Sequence, residues 1–425
     1  MIEEAIVHVG MHKTGSSSIQ ATLHNLASEP GAPAGYLKLN SPNHSGFFMT
    51  LLSEKPEEYH AHKLNGRTKQ EAKEIQKRFE RDLEYALSVF DSRVLIISAE
   101  DLSAPGMTEN MLGRLKNILS RYCCSVRVVG YVRPPVAYMQ SAFQQRLKGG
   151  DQYGLDVKKL WPHYRKRFQT LDRVFGKEKV DLVPFLPGSL YQGDVVLDFA
   201  RRAGVELTEE DLVRTNESIS LEACASLFAM RKLQKAAPYG GYTTDNNRLV
   251  EAASQLGSEK LVFSQKLVQP VLQAHQADLN WINDRLGQSI EDAPRVAKAS
   301  IGTEADLLEV AVANGRSLWQ LLEDEAIEHN GEPSTPELVN RLGLLTAQNA
   351  LVYQEQGTAD SSEVLGGFRE ADPVSILEQA AGLFTQSEPE AATAFRRLIG
   401  PARAQARKVV AGNLAPTHPS TKGAS

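Results

Sequence analysis

A glycine- and serine-rich loop with a lysine in it lies near the N-terminus of this 425-residue chain. It occupies residues 10–18, reads GMHKTGSSS, and stands between a short apolar run and a helical pattern. A loop in this position aims backbone N–H groups and the positive end of the following helix at an anion. The segment therefore predicts a phosphate-binding loop.

The position of the lysine separates this loop from the ATPase pattern GxxxxGK[ST]. Gly10 and Gly15 have the spacing of that pattern, but Ser16 follows Gly15 where the ATPases have their lysine. Lys13 instead lies two positions before Gly15, so it approaches a ligand from the loop and not from the start of the helix. An ordinary ATPase or GTPase is therefore disfavoured.

A second basic residue follows a later apolar run. Residues 126–132 read VRVVGYV, Arg133 comes directly after them, and Ser141 lies eight positions further on in a helical pattern. An arginine can make a forked, charge-assisted contact with a phosphate. Because ligands bind at the carboxyl ends of strands in open α/β sheets, Arg133 is expected on the same edge of the sheet as the first loop.

At these two segments the chain resembles the sulfotransferases that use 3′-phosphoadenosine 5′-phosphosulfate (PAPS). Their phosphosulfate loop has the form Lys-(Ser/Thr)-Gly-(Ser/Thr)-(Ser/Thr), which residues 13–17 match, and their Arg-x7-Ser element is matched by Arg133 and Ser141. The histidine before the lysine and the run 18–20 look like a bacterial branch of that superfamily. The resemblance covers roughly residues 1–290 and implies a P-loop-like fold.

The resemblance also implies a reaction, the transfer of a sulfuryl group from PAPS to a hydroxyl or amine, with a carbohydrate or glycolipid as the expected acceptor. Lys13 would neutralise charge on the bridging oxygen, and no metal ion would be required. The 3′-phosphate would be held by Arg133 and Ser141. The residues expected at the 5′-phosphosulfate are His12, Lys13, Thr14, Gly15, Ser16, Ser17 and Ser18. The Arg-Lys-Gly loop of cytosolic sulfotransferases is not found in this sequence.

Two residues compete for the role of general base. Glu100 follows the apolar run 94–98, whose carboxyl end should point into the same crevice as Lys13, and the corresponding strand end carries the catalytic histidine in cytosolic sulfotransferases. Asp101 is its nearby fallback. His44 lies in the segment 30–46, which is expected to be a loop that could cover the acceptor, and histidine needs little tuning to act near neutral pH.

Strand and helix patterns alternate as far as about residue 216. Apolar strands are predicted at residues 5–10, 94–98, 126–132 and 180–185, and helices at 16–26, 68–89, 111–119, 135–148 and 195–203. Such alternation predicts an α/β fold in which helices flank a parallel sheet.

Beyond residue 216 the pattern is almost entirely helical. Helices are predicted at residues 221–235, 247–256, 268–286 and 304–328, and three more follow. We expect a sulfotransferase domain at 1–290, a mainly helical C-terminal extension at 291–411 and a disordered tail at 412–425. The extension could form a homo-oligomer or a partner surface. An atypical P-loop kinase or NTPase, and a non-catalytic nucleotide-binding assembly protein, therefore stay open as alternatives.

Composition limits the remaining classes. The net charge is −5, which argues against a general nucleic-acid binder. The three cysteines have no zinc spacing and fit a reducing compartment. No apolar stretch approaches the roughly 20 residues of a membrane span, and the N-terminus reads as a strand and not as a signal peptide. A cytoplasmic protein is expected.

Overall fold

A computed structural model describes residues 2–26, 32–150, 154–215, 218–233, 244–292 and 300–314. Five strands in these residues form one sheet, and every neighbouring pair is parallel. The strands are β1 (Ile2–His8), β2 (Ala34–Tyr36), β3 (Val94–Ser98), β4 (Cys123–Val132) and β5 (Val180–Pro184). Helices flank the sheet, so the expected α/β class is confirmed.

Thirteen α-helices lie in the described residues. They are α1 (Ser16–Asn25), α2 (Ser45–Leu52), α3 (His60–Leu64), α4 (Lys69–Ser88), α5 (Glu109–Leu119), α6 (Pro135–Gly149), α7 (Tyr164–Phe175), α8 (Val195–Ala203), α9 (Leu221–Leu233), α10 (Thr244–Ser254), α11 (Gln265–Ala274), α12 (Gln276–Leu286) and α13 (Glu304–Ala313). Local chemistry sets several of their ends. At α4, for example, Thr68 and Glu71 form a capping box.

The strand order is β2-β3-β1-β4-β5, which places β1 in the middle of the sheet. His8, the last residue of β1, pairs with Ser98 on one side and with Val129 on the other. The chain therefore first builds the sheet to one side of β1 and then crosses to the other side. Ligands of open α/β sheets bind at such a switch point, outside the carboxyl ends of the strands.

An apolar core cluster joins the sheet to α1 and α8. Near-continuous apolar runs such as VLIIS in β3 are typical of strands that are covered on both faces. Packing of α1 and α8 against the strands fixes the start of each helix relative to the sheet. The buried cluster comprises Ile6, Ile19, Leu23, Tyr36, Ile96, Val129, Tyr131, Val183, Val196, Phe199 and Ala203.

Two details of the predicted pattern differ from the structure. Residues 30–46 were expected to be a loop, but Ala34–Tyr36 pair with β3 as an edge strand, and α2 begins at Ser45. A strand of three residues is too short to produce a recognisable alternation. The helix expected at 268–286 is two helices, α11 and α12, which are separated at His275.

The described residues divide into two compact units. The first contains those of Met1–Ala142, Lys158–Glu217 and Val268–Pro294 and includes the whole sheet. The second contains those of Phe143–Val157 and Ser218–Leu267 together with residues 300–314. In the second unit α13 packs on α9.

The predicted domain boundary near residue 290 stays a prediction, as do the extension and the tail, because residues 315–425 lie outside the described part. The homo-oligomer expected through the C-terminal helices also stays a prediction, because most of these helices lie outside the described part. Within the described ranges, none of the helices is long and apolar enough to cross a membrane.

Candidate functional site

The loop between β1 and α1 lies at the carboxyl edge of the sheet. The backbone N–H of Met11 donates to the carbonyl of Tyr131 at 3.0 Å, and the N–H of Tyr131 donates to the carbonyl of Gly10 at 2.5 Å. These bonds continue the pairing with β4 beyond the end of β1. The loop then turns at Gly15, and α1 begins at Ser16. The predicted strand–loop–helix arrangement is therefore present.

The two loop glycines stand where a side chain would not fit. Gly10 has φ +81°, and a Cβ there would lie 3.0 Å from the Cβ of Glu100. Gly15 has φ +80°, and a Cβ there would lie 2.6 Å from Cγ1 of Val195. Only glycine adopts such φ values without a steric cost. The loop consequently packs directly against the residues that follow β3 and against the start of α8.

The side chains of Thr14 and Ser18 are among those of the loop that contact the rest of the protein. The hydroxyl of buried Thr14 donates to the carbonyl of Met11 at 2.6 Å. The hydroxyl of Ser18 lies 3.0 Å from the hydroxyl of Thr215 and accepts from the backbone N–H of Thr215 at 3.2 Å. Thr14 therefore closes the loop, and Ser18 ties α1 to a segment almost two hundred residues away (197 positions).

The first turn of α1 has no capping side chain, because Gly15 stands at the N-cap, and it contains no acidic residue. The hydroxyl of Ser16 is buried and has no hydrogen-bond partner among the described residues, and Ser17 next to it is half-buried. A helix N-terminus in this state carries a partial positive charge that nothing in its own first turn neutralises.

Arg133 reaches the loop from the end of β4. Its Nη1 donates to the carbonyl of Lys13 at 2.5 Å, and its guanidinium carbon lies 5.8 Å from the ring centre of Phe185. Its own carbonyl accepts a hydrogen bond from the hydroxyl of Tyr164 at 2.6 Å. The structure therefore brings together Lys13 and Arg133, as the shared sheet edge predicts.

Ser141 lies half-buried on α6, about two turns beyond its start. The N-terminus of that helix differs from the N-terminus of α1, because a carboxylate already occupies it. The backbone N–H groups of Val136 and Ala137 donate to the two carboxylate oxygens of Asp292 at 2.8 and 2.7 Å. Asp292 follows Val136 by 156 residues, so no local sequence signal could have linked the two.

Glu100 stands in a short 3-10 turn, Glu100–Ser103, that follows β3. Its side chain is half-buried, and Oε1 accepts a hydrogen bond from the side-chain amide of Asn43 at 3.3 Å. The close approach between Gly10 and Glu100 places this carboxylate beside the loop. Glu100 thus follows the end of β3, as its place in the sequence predicts, and it lies beside Gly10 of the loop.

Asp101, the next residue, is hydrogen-bonded to the loop itself. Its Oδ1 lies 2.8 Å from Nε2 of His12, and its Oδ2 accepts from the hydroxyl of Tyr59 at 2.9 Å. Its backbone N–H donates to the hydroxyl of Ser45 at 3.2 Å. Burial by itself would raise the pKa of this carboxyl, but the hydrogen bonds from His12 and Tyr59 outweigh it and leave the pKa below its ordinary value.

His44 lies inside the protein and not in an open loop. It precedes α2, its Nδ1 accepts from the backbone N–H of Ser98 at 3.2 Å, and its ring stacks on Tyr36 at 4.6 Å. Burial lowers its pKa to about 3. Contacts with β2 and β3 pull the residue inward, so the expectation that this segment is an open loop over the acceptor is not met.

A second buried histidine, His8, ends β1 just before the loop, and no motif in the sequence marks it as a site residue. Nδ1 of His8 lies 2.7 Å from the hydroxyl of Ser98, which also accepts from the side-chain amide of Gln20 at 3.2 Å. Burial lowers the pKa of His8 to about 3, so the ring is neutral near pH 7. The group of His8, Ser98 and Gln20 at the end of β1 is therefore polar but uncharged.

A cavity of about 450 Å³ lies beside α7 in the same unit. Its lining includes Met107, His163, Arg165, Lys166 and His275. One acidic residue, Asp278, also lines it, but that carboxylate accepts hydrogen bonds from the Trp161 side chain and from two backbone N–H groups of α7. The remaining ionisable side chains on this wall are basic, so the cavity favours a polar or anionic group.

The loop, the basic residues and the carboxylates come from three neighbouring strands. Lys13 follows β1, Glu100 and Asp101 follow β3, and Arg133 follows β4, so the sheet order brings them to one edge. Such a set can hold an anion and can accept a proton beside it. Comparison with known proteins found no matching family model, no matching curated protein and no matching solved structure.

Proposed function

We propose that this chain is a sulfotransferase that transfers a sulfuryl group from PAPS to a hydroxyl or amine of an acceptor. The observation that carries the proposal is the hydrogen bond from Arg133 to the carbonyl of Lys13. The two residues belong to the two segments on which the resemblance rests. A P-loop-like parallel sheet, with the loop at the end of its central strand, supports the same proposal.

Two groups of residues would hold the two anionic groups of the nucleotide. Lys13, the uncapped first turn of α1 and the hydroxyls of Ser16 and Ser17 would hold the 5′-phosphosulfate. Arg133 and Ser141 would hold the 3′-phosphate through side chains, since the carboxylate of Asp292 already occupies the N–H groups at the start of α6. The two anionic groups would thus be recognised by different chemistry, one by a helix end and one by an arginine.

Transfer needs charge stabilisation on one side of the sulfur and a base on the other. The bond between sulfur and the bridging oxygen breaks, and its electron pair stays on the 5′-phosphate of adenosine 3′,5′-bisphosphate. Lys13 would neutralise that charge, because its side chain belongs to the loop that holds the phosphate. A new bond forms between sulfur and the acceptor, whose proton passes to a general base.

Glu100 is the general base that we propose. It stands half-buried beside Gly10, and a carboxylate within hydrogen-bond reach of the acceptor hydroxyl can take up its proton. His44, the competing candidate, has neither solvent access nor a basic pKa in this fold. For this reason we assign His44 to the support of the site.

The acceptor that we propose is a carbohydrate or glycolipid. Its reacting hydroxyl would face Glu100, and the cavity beside α7 would hold a more distant polar part. Tyr164 in the first turn of α7, the helix beside that cavity, donates a hydrogen bond to the carbonyl of Arg133. Arg165 and Lys166 would contact the polar part of the acceptor.

The decisive experiment measures transfer of radioactive sulfate from PAPS to a fractionated extract of glycans and small metabolites. We expect labelled product with the wild-type chain and none with Lys13→Ala. The matched control is Lys73→Ala, which removes an exposed lysine from α4.

A capture experiment on immobilised PAPS separates the alternatives. Release by adenosine 3′,5′-bisphosphate but not by ATP is expected. Release by ATP would favour an atypical kinase or NTPase. Capture without any transfer to the extract would favour a binding protein without catalytic activity.

A further inference from the structure

His12 is the loop residue whose surroundings are most unusual. His12 directly precedes Lys13 in the sequence. Nε2 of its ring is hydrogen-bonded to Asp101, which lies 89 positions further along the chain. About a third of the side chain (32%) is exposed to solvent. No described residue hydrogen-bonds to its other ring nitrogen, Nδ1. Nε2 of the imidazole is thus held by Asp101, and Nδ1 can form a hydrogen bond with a ligand.

The anchor determines which ring nitrogen carries a proton. The carboxyl of Asp101 has a lowered pKa and is ionised near neutral pH, so both of its oxygens can only accept hydrogen bonds. Nε2 of His12 must therefore be protonated and donate to Oδ1. If the ring takes up a second proton, that proton is on Nδ1, which is the nitrogen left available.

Asp101 is itself held firmly. The hydroxyl of Tyr59 donates to its second oxygen at 2.9 Å, and its backbone N–H donates to the hydroxyl of Ser45 at 3.2 Å. An aspartate fixed in this way orients the histidine and stabilises its charged form, as carboxylates do for histidines in many active sites. Its position, next to Glu100 in the same 3-10 turn, is set by the end of β3.

Some of the other charged groups around the ring favour the protonated form of His12, and others disfavour it. Lys13 on the same loop disfavours a second positive charge, and so does His60 when it is protonated, which also lies near Asp101. Glu100 and Asp101, from the end of β3, favour it. An anion bound at the loop adds further negative charge next to the ring and shifts the balance toward the imidazolium.

We infer that His12 is a catalytic residue that acts as the imidazolium, with Asp101 and Tyr59 as the residues that position it. This inference rests on the proposed sulfuryl transfer. The Nδ1–H of His12 would donate a hydrogen bond to the phosphosulfate oxygens on which negative charge grows as the bridging bond breaks. No proton or electron is consumed, since the bridging electron pair stays on the 5′-phosphate and the acceptor proton goes to Glu100.

The kinetic test compares His12→Asn, Asp101→Asn and the control Lys77→Ala, which changes an exposed basic residue of α4 outside the loop. Removing one preorganised donor to a developing charge costs about 10²–10³ in kcat, so a loss of this order is expected for His12→Asn. Lys77→Ala should stay within roughly twofold of the wild type, as for most surface substitutions. Unchanged kcat in His12→Asn would overturn the inference.

The pH profile separates positioning from a merely structural role. Activity should fall on the alkaline side as His12 loses its second proton. Asp101→Asn removes a neighbouring negative charge, which makes the imidazolium less stable, so the fall should move to lower pH. A uniform loss of activity at every pH, with the profile unmoved, would show that Asp101 supports only the fold.

A readout without turnover keeps the inference distinct from the proposed reaction. Nuclear magnetic resonance of labelled histidine side chains, with His12 assigned from the His12→Asn spectrum, follows the protonation of the ring. Adenosine 3′,5′-bisphosphate should keep His12 protonated to higher pH, and Asp101→Asn should do the opposite. If the nucleotide binds and the titration of His12 does not move, the inference is overturned whether or not sulfuryl transfer is found. If transfer fails but the titration moves, the proposed reaction is lost together with the catalytic role of His12, and only its contact with the bound nucleotide stands.

Discussion

The guanidinium of Arg133 donates a hydrogen bond to the backbone carbonyl of Lys13, across 120 positions of sequence. The contact joins the end of β4 to the loop that follows β1. An arginine that is already bonded to a loop loses less side-chain freedom when an anion arrives there, so part of the binding site is formed in advance. The expected consequences for this arginine and its neighbours can be measured separately.

Replacement of Arg133 by alanine should weaken PAPS binding by roughly 1.5–3 kcal/mol, because it removes a charge-assisted hydrogen bond. Isothermal titration calorimetry measures this directly. Arg133→Lys keeps the charge but loses the fork, and we expect an intermediate affinity. Arg173→Ala, which removes an exposed arginine paired with Glu109, is the control that should bind as the wild type does. Equal affinities for Arg133→Ala and the wild type would refute the assignment.

Glu100→Gln should lower kcat by about 10²–10⁴, the usual contribution of a general base, with little change in nucleotide affinity. The amide keeps the size of the side chain and its contact with Asn43, so the loss reports the missing basic oxygen. Single-turnover kinetics with saturating PAPS isolates the chemical step. If Glu100→Gln turns over normally, Glu100 is not the base, and Asp101→Asn becomes the next variant to examine.

Gly15→Ala should destabilise the fold by about 1–3 kcal/mol, since it forces a side chain into a left-handed conformation and against Val195. Urea unfolding measures the loss. Adding Val195→Ala relieves the clash but not the backbone strain, so stability should return only in part. Gly66→Ala is the control for strain alone, because φ there is +61° and no atom lies near the added Cβ. Equal losses at both glycines would show that the contact with Val195 is unimportant.

Acid should destabilise the protein through two buried histidines. Burial lowers the pKa of both His8 and His44 to about 3, whereas in the unfolded chain both titrate near 6.5. Between these values the unfolded state binds more protons, so the free energy of unfolding falls as the pH falls from about 6.5 toward 3, by up to roughly 1.4 kcal/mol per pH unit for each histidine. Well above pH 6.5 the rings are neutral in both the folded and the unfolded state, so they contribute no slope.

Urea titrations between pH 7.5 and pH 4.5 test this expectation, with His44→Gln and His8→Gln as the variants. Each variant is expected to be less stable at neutral pH, so the informative quantity is the slope of stability against pH. That slope should become shallower in each variant. A slope identical to the wild type would mean that the replaced histidine accepts a proton in the folded state.

Arg165→Ala combined with Lys166→Ala should raise the KM for an anionic or strongly polar acceptor and leave PAPS affinity unchanged. Loss of a single charge-assisted contact of about 1.5 kcal/mol corresponds to roughly tenfold in KM. The control replaces two exposed lysines of α4, Lys73 and Lys77, by alanine. If acceptor KM is the same in both double variants, the acceptor does not use the cavity beside α7.

Local patterns in the sequence were sufficient to predict the strands, the loop and the helix start that form the backbone of the site. Apolar runs predicted four of the five strands, and their order along the chain placed the loop at 10–18 and Arg133 at strand ends. The left-handed turn at Gly15 and the helix start at Ser16 follow from residues that are neighbours in sequence. These features depend on short-range periodicity and on glycine geometry, which a single sequence carries.

Only the tertiary structure decided which side chains contact one another at the site. The bond between His12 and Asp101, the carboxylate of Asp292 at the start of α6, and the burial of His44 all join segments that are far apart in the chain. The edge strand β2 is three residues long, and its Tyr36 stacks on His44 inside the protein. No local sequence pattern predicts so short a strand. Such contacts are fixed by packing of the whole sheet and its helices, so the residues that meet share no spacing in the sequence from which the contact could have been inferred.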